Sequence, residues 1–119
     1  MRRRSSAGQI AAPSAEADEV RGRVERTERA HTLAIRWNVT SMGVERARMV
    51  LGEEGVLAVR VMVVAPDATT VPVEQTNLPA AGQTWLDDVT PHALCVAAIG
   101  LRSSDRFVAI AHTPPLAVE

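Results

Sequence analysis

The chain has 119 residues and carries 13 arginines, no lysine and 14 acidic residues, which gives a formal net charge of −1. This length fits one domain with a tail, and a composition of 46% apolar and 23% charged residues excludes wholesale disorder. Aromatic residues are limited to Trp37, Trp85 and Phe107, which argues against surfaces that stack several bases or sugars.

The first thirty residues differ in character from the rest. They carry seven arginines against five acids and only three large aliphatic side chains. Oppositely charged residues such as Glu19 and Arg23 stand four apart, as on a solvated helix face, while Gly22 weakens any helix. We therefore predict a charged tail over residues 1–30, disordered or a frayed helix, and a compact domain over residues 31–115.

The sequence predicts neither a secretory signal nor a membrane-spanning segment. The three arginines at positions 2–4 are followed by only three consecutive apolar residues, whereas a secretory signal needs about 7–15. The longest apolar run is broken by Arg60 and is too short to span a bilayer. Cys95 is the single cysteine, which excludes an intrachain disulfide and fits a reducing compartment. We expect a cytoplasmic protein with no membrane partner.

The first strand and the helix have clear signals. Leu33, Ile35 and Trp37 alternate with more polar residues from His31 onwards, which predicts a half-buried strand. A hydroxyl at position 40 or 41 can cap a helix that ends at Gly52. The predicted inner side of this helix carries four apolar residues, Val44, Ala47, Val50 and Leu51. The predicted outer side carries Glu45, Arg46 and Arg48.

Short apolar segments then predict a series of strands. Residues 56–64 are rich in valine and indicate a central strand, and Pro72 places the next strand on a sheet edge because proline cannot donate to the ladder. A short strand over residues 84–86 precedes a turn at Asp87 and Asp88. Residues 93–101 and 107–111 form a predicted hairpin, and the prolines after Thr113 end the ordered part.

These elements predict a mainly β fold. We expect a small β-sandwich or a curled antiparallel sheet of about six strands, with one short helix after the first strand. The tail of residues 1–30 would precede it.

Several short motifs follow one another in a characteristic order. They are Trp37-Asn38-Val39-Thr40, Glu45-Arg46-Ala47-Arg48, and the segments 57–61, 97–101 and 105–111. In this order the chain resembles a bacterial family of unknown activity, the domain of unknown function 4912. The resemblance covers about residues 31–115 and implies this fold without implying a reaction. Members tend to carry tyrosines near the first strand and before the closing hairpin, where this chain has Leu33 and Leu94.

Three residues are candidates for binding. If their strands are neighbours, Arg36 and Arg60 share a face and meet an anion or a carboxylate-rich partner. The alternative, which we favour, is that both arginines pair with nearby acids such as Glu74 or Asp87. Trp85 is a possible sugar platform if it is exposed, although burial in an aromatic-poor core is the preferred interpretation.

Catalytic and metal-binding chemistry finds little support. His92 and Cys95 have a spacing that metal sites use, but a third ligand would have to come from His31 or His112. Asp87 and Asp88 are adjacent, so in an extended chain they would point to opposite faces and could not act on one bond. In the predicted turn, which we favour, they are solvated or cap a helix. We therefore predict no catalytic, cofactor or metal site.

The leading functional hypothesis is a non-enzymatic interaction module with a protein partner. A small-ligand module that binds a carbohydrate or an anion is the first alternative. Weak nucleic-acid contact through Arg2, Arg3 and Arg4 is the second, although three charges are few for phosphate binding.

Overall fold

The computed structural model describes residues 17–26 and 30–119. Its elements are β1 (Glu19–Arg26), β2 (His31–Asn38), α1 (Ser41–Leu51), β3 (Val56–Val64), β4 (Thr70–Thr76), β5 (Ala81–Val89), β6 (Leu94–Arg102), β7 (Phe107–His112) and β8 (Leu116–Ala117).

The strands form two antiparallel sheets. One has three strands in the order β1-β2-β5, and the other has the order β4-β3-β6-β7, with β8 also paired to β6. The protein is mainly β with a single short helix among the described residues, which confirms the predicted fold class. The central position of β3 and the edge position of β4 are confirmed as well.

The core lies between the two sheets. Side chains alternate along each strand, so the apolar rows of β2, β3 and β6 meet in one buried cluster. Leu33, Ile35 and Ile99 are at most 2% exposed in this cluster. Trp37 is also buried, and its indole Nε1–H donates a hydrogen bond to the Pro79 carbonyl oxygen at 2.9 Å. The predicted role of Trp37 in the core is confirmed.

Helix α1 closes one end of the sandwich. Its first turn is capped by the Thr40 hydroxyl, which accepts from the Gly43 N–H at 3.0 Å, and its last turn ends at Gly52 in the left-handed conformation, with φ 76°. Ala47 and Leu51 pack against a second apolar cluster on β6 and β7. Val50 does not join them: it is 65% exposed, so the predicted inward position of this residue is wrong.

Strand β1 is the main departure from the sequence-based expectation. Glu19–Arg26 pairs along its whole length with β2, and Val20 is buried in the core. The predicted tail or frayed helix is therefore wrong for these residues, and the domain begins before residue 31. Charged residues four apart also lie on one side of a strand, which is why the helical interpretation failed. Residues 1–16 and 27–29 lie outside the described residues.

The last strands are longer than predicted. Strand β5 runs through Asp87 and Asp88, which were expected in a turn, and reaches Val89. Beyond residue 115, the predicted end of the ordered part, β8 pairs with the start of β6 and Val118 is buried.

Candidate functional site

The outer face of the three-stranded sheet brings polar side chains together around an exposed tryptophan. Directly opposed residues of antiparallel strands point to the same side of a sheet, so the register defines cross-strand rows. From one end to the other, the rows are Glu19 with Asn38 and Ala81, Arg21 with Arg36 and Gln83, Arg23 with Ala34 and Trp85, and Glu25 with Thr32 and Asp87. We call these twelve residues the tryptophan face.

Trp85 dominates this face. Its side chain belongs to the outward set of β5, and the residue is 50% exposed, so the preferred interpretation of Trp85 as a buried residue is wrong. Its cross-strand neighbour is Ala34, whose methyl group fills little space. A groove of about 350 Å³ runs beside the indole, with Arg23, Arg36 and Gln83 among its lining residues. The face therefore offers an aromatic wall next to hydrogen-bonding groups.

Three arginines occupy the middle of the face. Arg21 lies 3.2 Å from the Glu19 carboxylate and Arg23 pairs with Glu25, yet both arginine side chains are 77% exposed. Ion pairs this exposed contribute only about 0–1 kcal/mol, so a ligand can replace them at little loss. Arg36 donates from Nη2 to the Gln83 amide oxygen at 3.5 Å. Its guanidinium lines the groove beside Trp85, where it can meet an anionic group.

Charge is separated along the strands. The two middle rows contain all three arginines and no acid, whereas the three carboxylates lie in the two end rows. One of them, Asp87, accepts a hydrogen bond from the Thr32 hydroxyl at 3.2 Å. The centre of the face is therefore positive and its ends are acidic, which favours a ligand whose negative charge is concentrated at the centre.

The sequence identified only part of this face. Arg36 and Trp85 lie in adjacent rows as candidate residues, but Arg21, Arg23 and Gln83 were not singled out. The signal was present, because charged residues recur at every second position from Glu19 to Glu25. That period is typical of a strand with one solvated face.

Arg60 does not belong to this face. It lies on β3 and points to the outer side of the five-stranded sheet, so β2 and β3 are not neighbours and the condition for a face shared by Arg36 and Arg60 is not met. The two strands belong to different sheets, and each arginine faces away from the common core. Arg60 is directly opposite Glu74 on β4, which agrees with the alternative of neighbouring acids for this arginine.

A partly buried cluster surrounds Arg60. The Arg102 guanidinium donates two hydrogen bonds to the Glu74 carboxylate, at 2.6 and 2.5 Å. The guanidinium carbons of Arg60 and Arg102 lie 5.9 and 5.3 Å from the centre of the Phe107 ring. The hydrogen bonds from Arg102 hold the pKa of Glu74 below its ordinary value, and the charges of Arg102 and Arg60 act in the same direction. The Arg102–Glu74 ion pair and the Phe107 ring therefore link β4, β6 and β7 on this side of the sheet.

The residues considered for metal binding do not meet. Cys95 is buried within β6, where burial raises the pKa of its thiol, whereas His92 is exposed in the turn before that strand. Within residues 17–26 and 30–119, no group of three or more histidine, cysteine, aspartate or glutamate side chains is placed to hold a metal ion.

We compared the chain with protein families, curated proteins and solved structures. Neither a protein-family model, nor a curated protein, nor a solved structure matches this chain. The resemblance to the domain of unknown function 4912 therefore stays a prediction.

Two further features bear on partners. None of the helices in the described part of the chain has the length and apolar character needed to cross a membrane. The arginines at positions 2–4 lie outside the described residues, so the predicted nucleic-acid contact stays a prediction.

Proposed function

We propose that this protein is a non-enzymatic interaction module that binds an acidic segment of a protein partner on the tryptophan face. The observation that carries the proposal is the half-exposed Trp85 beside three arginines whose counter-charges lie at the ends of the face. Tryptophan and arginine are the residues most enriched among those that dominate protein–protein binding energy.

The geometry suggests how a segment would bind. An apolar side chain of the partner would fill the groove over Ala34 and pack against the Trp85 indole. A neighbouring carboxylate would then lie near Arg36, and the acidic ends of the face would repel a segment with its negative charge elsewhere. Arg21 and Arg23 would exchange weak exposed ion pairs for contacts with the ligand.

The test starts from a random peptide library, because no partner is identified. Full-length protein is immobilised, dodecapeptides are selected on it, and the affinity of each enriched peptide is measured by fluorescence anisotropy. We expect acidic peptides with an apolar residue next to a carboxylate. Trp85→Ala and Arg36→Ala should each weaken binding at least about tenfold, which corresponds to about 1.4 kcal/mol.

Met49→Ala is the matched control for this experiment. Met49 is 81% exposed on α1, away from the tryptophan face, so its removal should leave peptide affinity unchanged. The proposal fails if no acidic peptide is enriched. It also fails if enriched peptides bind the Trp85→Ala and Arg36→Ala variants as tightly as they bind the wild type.

A carbohydrate ligand is the second candidate. Gln83 and Asp87 flank Trp85 on the same side of β5, so an aromatic platform stands next to side chains that can hydrogen-bond sugar hydroxyls. On a glycan array this alternative predicts a signal that Trp85→Ala abolishes. An array with no signal above background would remove it.

A further inference from the structure

Strand β5 is the last strand of the three-stranded sheet, and no strand in the described part of the chain pairs with its outer edge. The register shows which backbone groups lie on that edge. Just beyond the strands, the Val39 N–H donates to the Ala80 carbonyl oxygen at 2.8 Å, and this pair continues the register of β2 and β5. Because hydrogen-bonded and non-hydrogen-bonded pairs alternate in an antiparallel ladder, Gly82, Thr84 and Leu86 bond to β2.

The backbone groups of the alternate residues, Ala81, Gln83 and Trp85, therefore point away from β2. We call these three residues the β5 edge. Each of them has one N–H donor and one carbonyl acceptor on the main chain. Their spacing matches the hydrogen-bonding pattern of one more antiparallel strand.

Two other edge strands are protected against such pairing. Next to β4, the Ala65 N–H donates to the Thr69 carbonyl oxygen at 2.8 Å and continues the register with β3, so by the same alternation Pro72 faces the open edge. Proline has no N–H to donate there. Strand β1 carries four charged side chains at alternate positions over residues 19–25. Residues 81–86 of β5 include neither a proline nor a charged residue, so this edge lacks both kinds of protection.

The sequence around Gln83 is complementary to itself. A two-fold axis normal to the sheet beside Gln83 would set a second copy of β5 antiparallel to the first. In that register Ala81 lies opposite Trp85 of the second copy, and Gly82 lies opposite Thr84 of the second copy. The two larger residues on one side of Gln83 therefore face the two small residues on its other side.

The pair of Trp85 and Ala81 is the more informative of the two. Gly82 is small for a reason within one chain, because an added β-carbon would lie 2.9 Å from the Trp37 ring. Ala81 is exposed, so the core does not require a small side chain there. In the paired arrangement Trp85 would have Ala34 of its own chain on one side and Ala81 of the second copy on the other. The indole would then have a methyl-sized neighbour on both sides.

The residue on the axis and the nearby charges also suit a second copy. Gln83 would meet its own counterpart, and a side-chain amide both donates and accepts hydrogen bonds, so two glutamines can pair without repulsion. The nearest acidic residue of β5, Asp87, would lie opposite the uncharged Pro79. No like charges therefore oppose each other between the two edges.

We infer that two copies of this chain pair antiparallel along the β5 edge, about a two-fold axis at Gln83, and join their three-stranded sheets into one sheet of six strands. The three N–H groups of each β5 edge donate to the other copy, which gives six backbone hydrogen bonds. Because the axis is normal to the sheet, both tryptophan faces lie on the same side of it. The pairing does not depend on what these faces bind.

Sedimentation velocity of the full chain is the first test. An interface made by one pair of strands is small, so the dimer should be weak. We expect the 12.8 kDa single chain at low micromolar concentration and twice that mass near millimolar concentration. Wild-type protein that sediments as a single chain at every concentration would overturn the inference.

Charge variants at Gln83 test the position of the axis. Gln83→Lys and Gln83→Glu each place like charges opposite one another, so each variant alone should raise the dimer dissociation constant about tenfold. An equimolar mixture of the two variants sets an ammonium group opposite a carboxylate and should form the dimer again. Single variants that dimerise as tightly as the wild type, or a mixture no tighter than its components, would contradict an axis at Gln83.

Met49→Lys is the matched control for these variants. Met49 is 81% exposed on α1, away from the β5 edge, so the added charge should leave the dissociation constant unchanged. Gln83 is exposed in the single chain, and its variants should therefore keep the wild-type circular-dichroism spectrum.

Amide hydrogen exchange, followed by nuclear magnetic resonance, supplies a readout that needs no variant. The amides of Gly82 and Thr84 bond to β2 and should exchange slowly at every protein concentration. The amides of Ala81, Gln83 and Trp85 should exchange slowly only in concentrated samples. If these three amides exchange equally fast in dilute and concentrated samples, pairing along the β5 edge is overturned, even for a protein that sediments as a dimer.

Discussion

The outer face of the three-stranded sheet places exposed charged and polar residues around Trp85, whereas the outer face of the five-stranded sheet combines apolar side chains, such as Met62 and Leu94, with the partly buried Arg102–Glu74 pair. Both sheets are antiparallel and bury their inner sides in the same core. Backbone architecture therefore does not decide what an outer face does. The difference lies in the outward-pointing half of each strand, which is free to vary once the inward half has formed the core.

The charged groups of the two faces differ in the same way. On the tryptophan face the ion pairs of Arg21 and Arg23 are exposed and easily exchanged. On the other face, Arg102 and Glu74 form a two-point ion pair whose side chains are only 23% and 22% exposed. The first arrangement suits binding, and the second suits a fixed structure.

The two tryptophans provide the largest test of this comparison. Trp37→Ala removes a buried indole and its hydrogen bond to Pro79, so it should lower the free energy of unfolding by about 3–5 kcal/mol. Trp85→Ala removes a half-exposed indole and should cost less than about 1.5 kcal/mol, since little packing is lost. Urea denaturation of both variants measures the difference. Equal losses would contradict the assignment of Trp85 to an outer face.

Gly100 tests how tightly the five-stranded sheet is packed on its outer side. A β-carbon at this position would lie 2.2 Å from the Val108 carbonyl oxygen and 2.9 Å from the Phe107 ring. Because the nearest atom belongs to the backbone, Gly100→Ala should destabilise the protein by about 1–3 kcal/mol.

Gly22 on β1 is the matched control for Gly100. The nearest atom to an added β-carbon there is the end of the flexible Leu116 side chain, which can move aside. Thermal melts should therefore rank Gly22→Ala above Gly100→Ala in stability. The reverse order would show that the close contact at Gly100 is relaxed in solution.

The smallest expected effects come from the two kinds of ion pair. Glu74→Gln should lower the free energy of unfolding by about 1 kcal/mol at neutral pH, because Arg102 loses its partly buried carboxylate partner. Glu25→Gln should leave the free energy of unfolding almost unchanged, because its ion pair is exposed. Equal losses in urea denaturation at pH 7 would show that the two faces hold their charges equally tightly.

The same variant makes a prediction about pH. The pKa of Glu74 is held below its ordinary value by the hydrogen bonds from Arg102. The ionised carboxylate therefore contributes stability above the ordinary glutamate pKa of about 4.3, and this contribution is lost as the pH falls through the lower folded-state value. We expect the stability gap between wild type and Glu74→Gln to narrow as pH is lowered below about 4. A constant gap would contradict this role for Glu74.

Much of the fold was predictable because its signals are local. The alternation from Leu33 to Trp37 identified β2, and the hydroxyl and glycine at the two ends of α1 identified the helix. The valine-rich β3 and the proline in β4 gave the central and edge positions. Each of these predictions depends on residues close together in the chain.

The incorrect predictions have a different physical cause, because they concern features that depend on residues far apart in the chain. Strand β1 has only two large apolar residues, Val20 and Val24, so its strand character depends on pairing with β2 rather than on its own composition. Periodicity also shows which side of its own sheet a residue occupies, but not which sheet the strand joins. A face shared by Arg36 and Arg60 therefore stayed open until the two strands were found in different sheets. The exposure of Trp85 could have been predicted from Gln83 and Asp87, because these polar residues lie two positions before and after it and therefore on the same side of β5.

A backbone-amide nuclear magnetic resonance titration of the full chain with an enriched acidic dodecapeptide tests the central claim most directly. We predict chemical-shift changes concentrated on the middle rows of the tryptophan face, at Arg21, Arg36, Gln83 and Trp85, with β3 and β6 unaffected. Changes centred on the outer face of the five-stranded sheet or on α1 would contradict the assignment of partner binding to the three-stranded sheet.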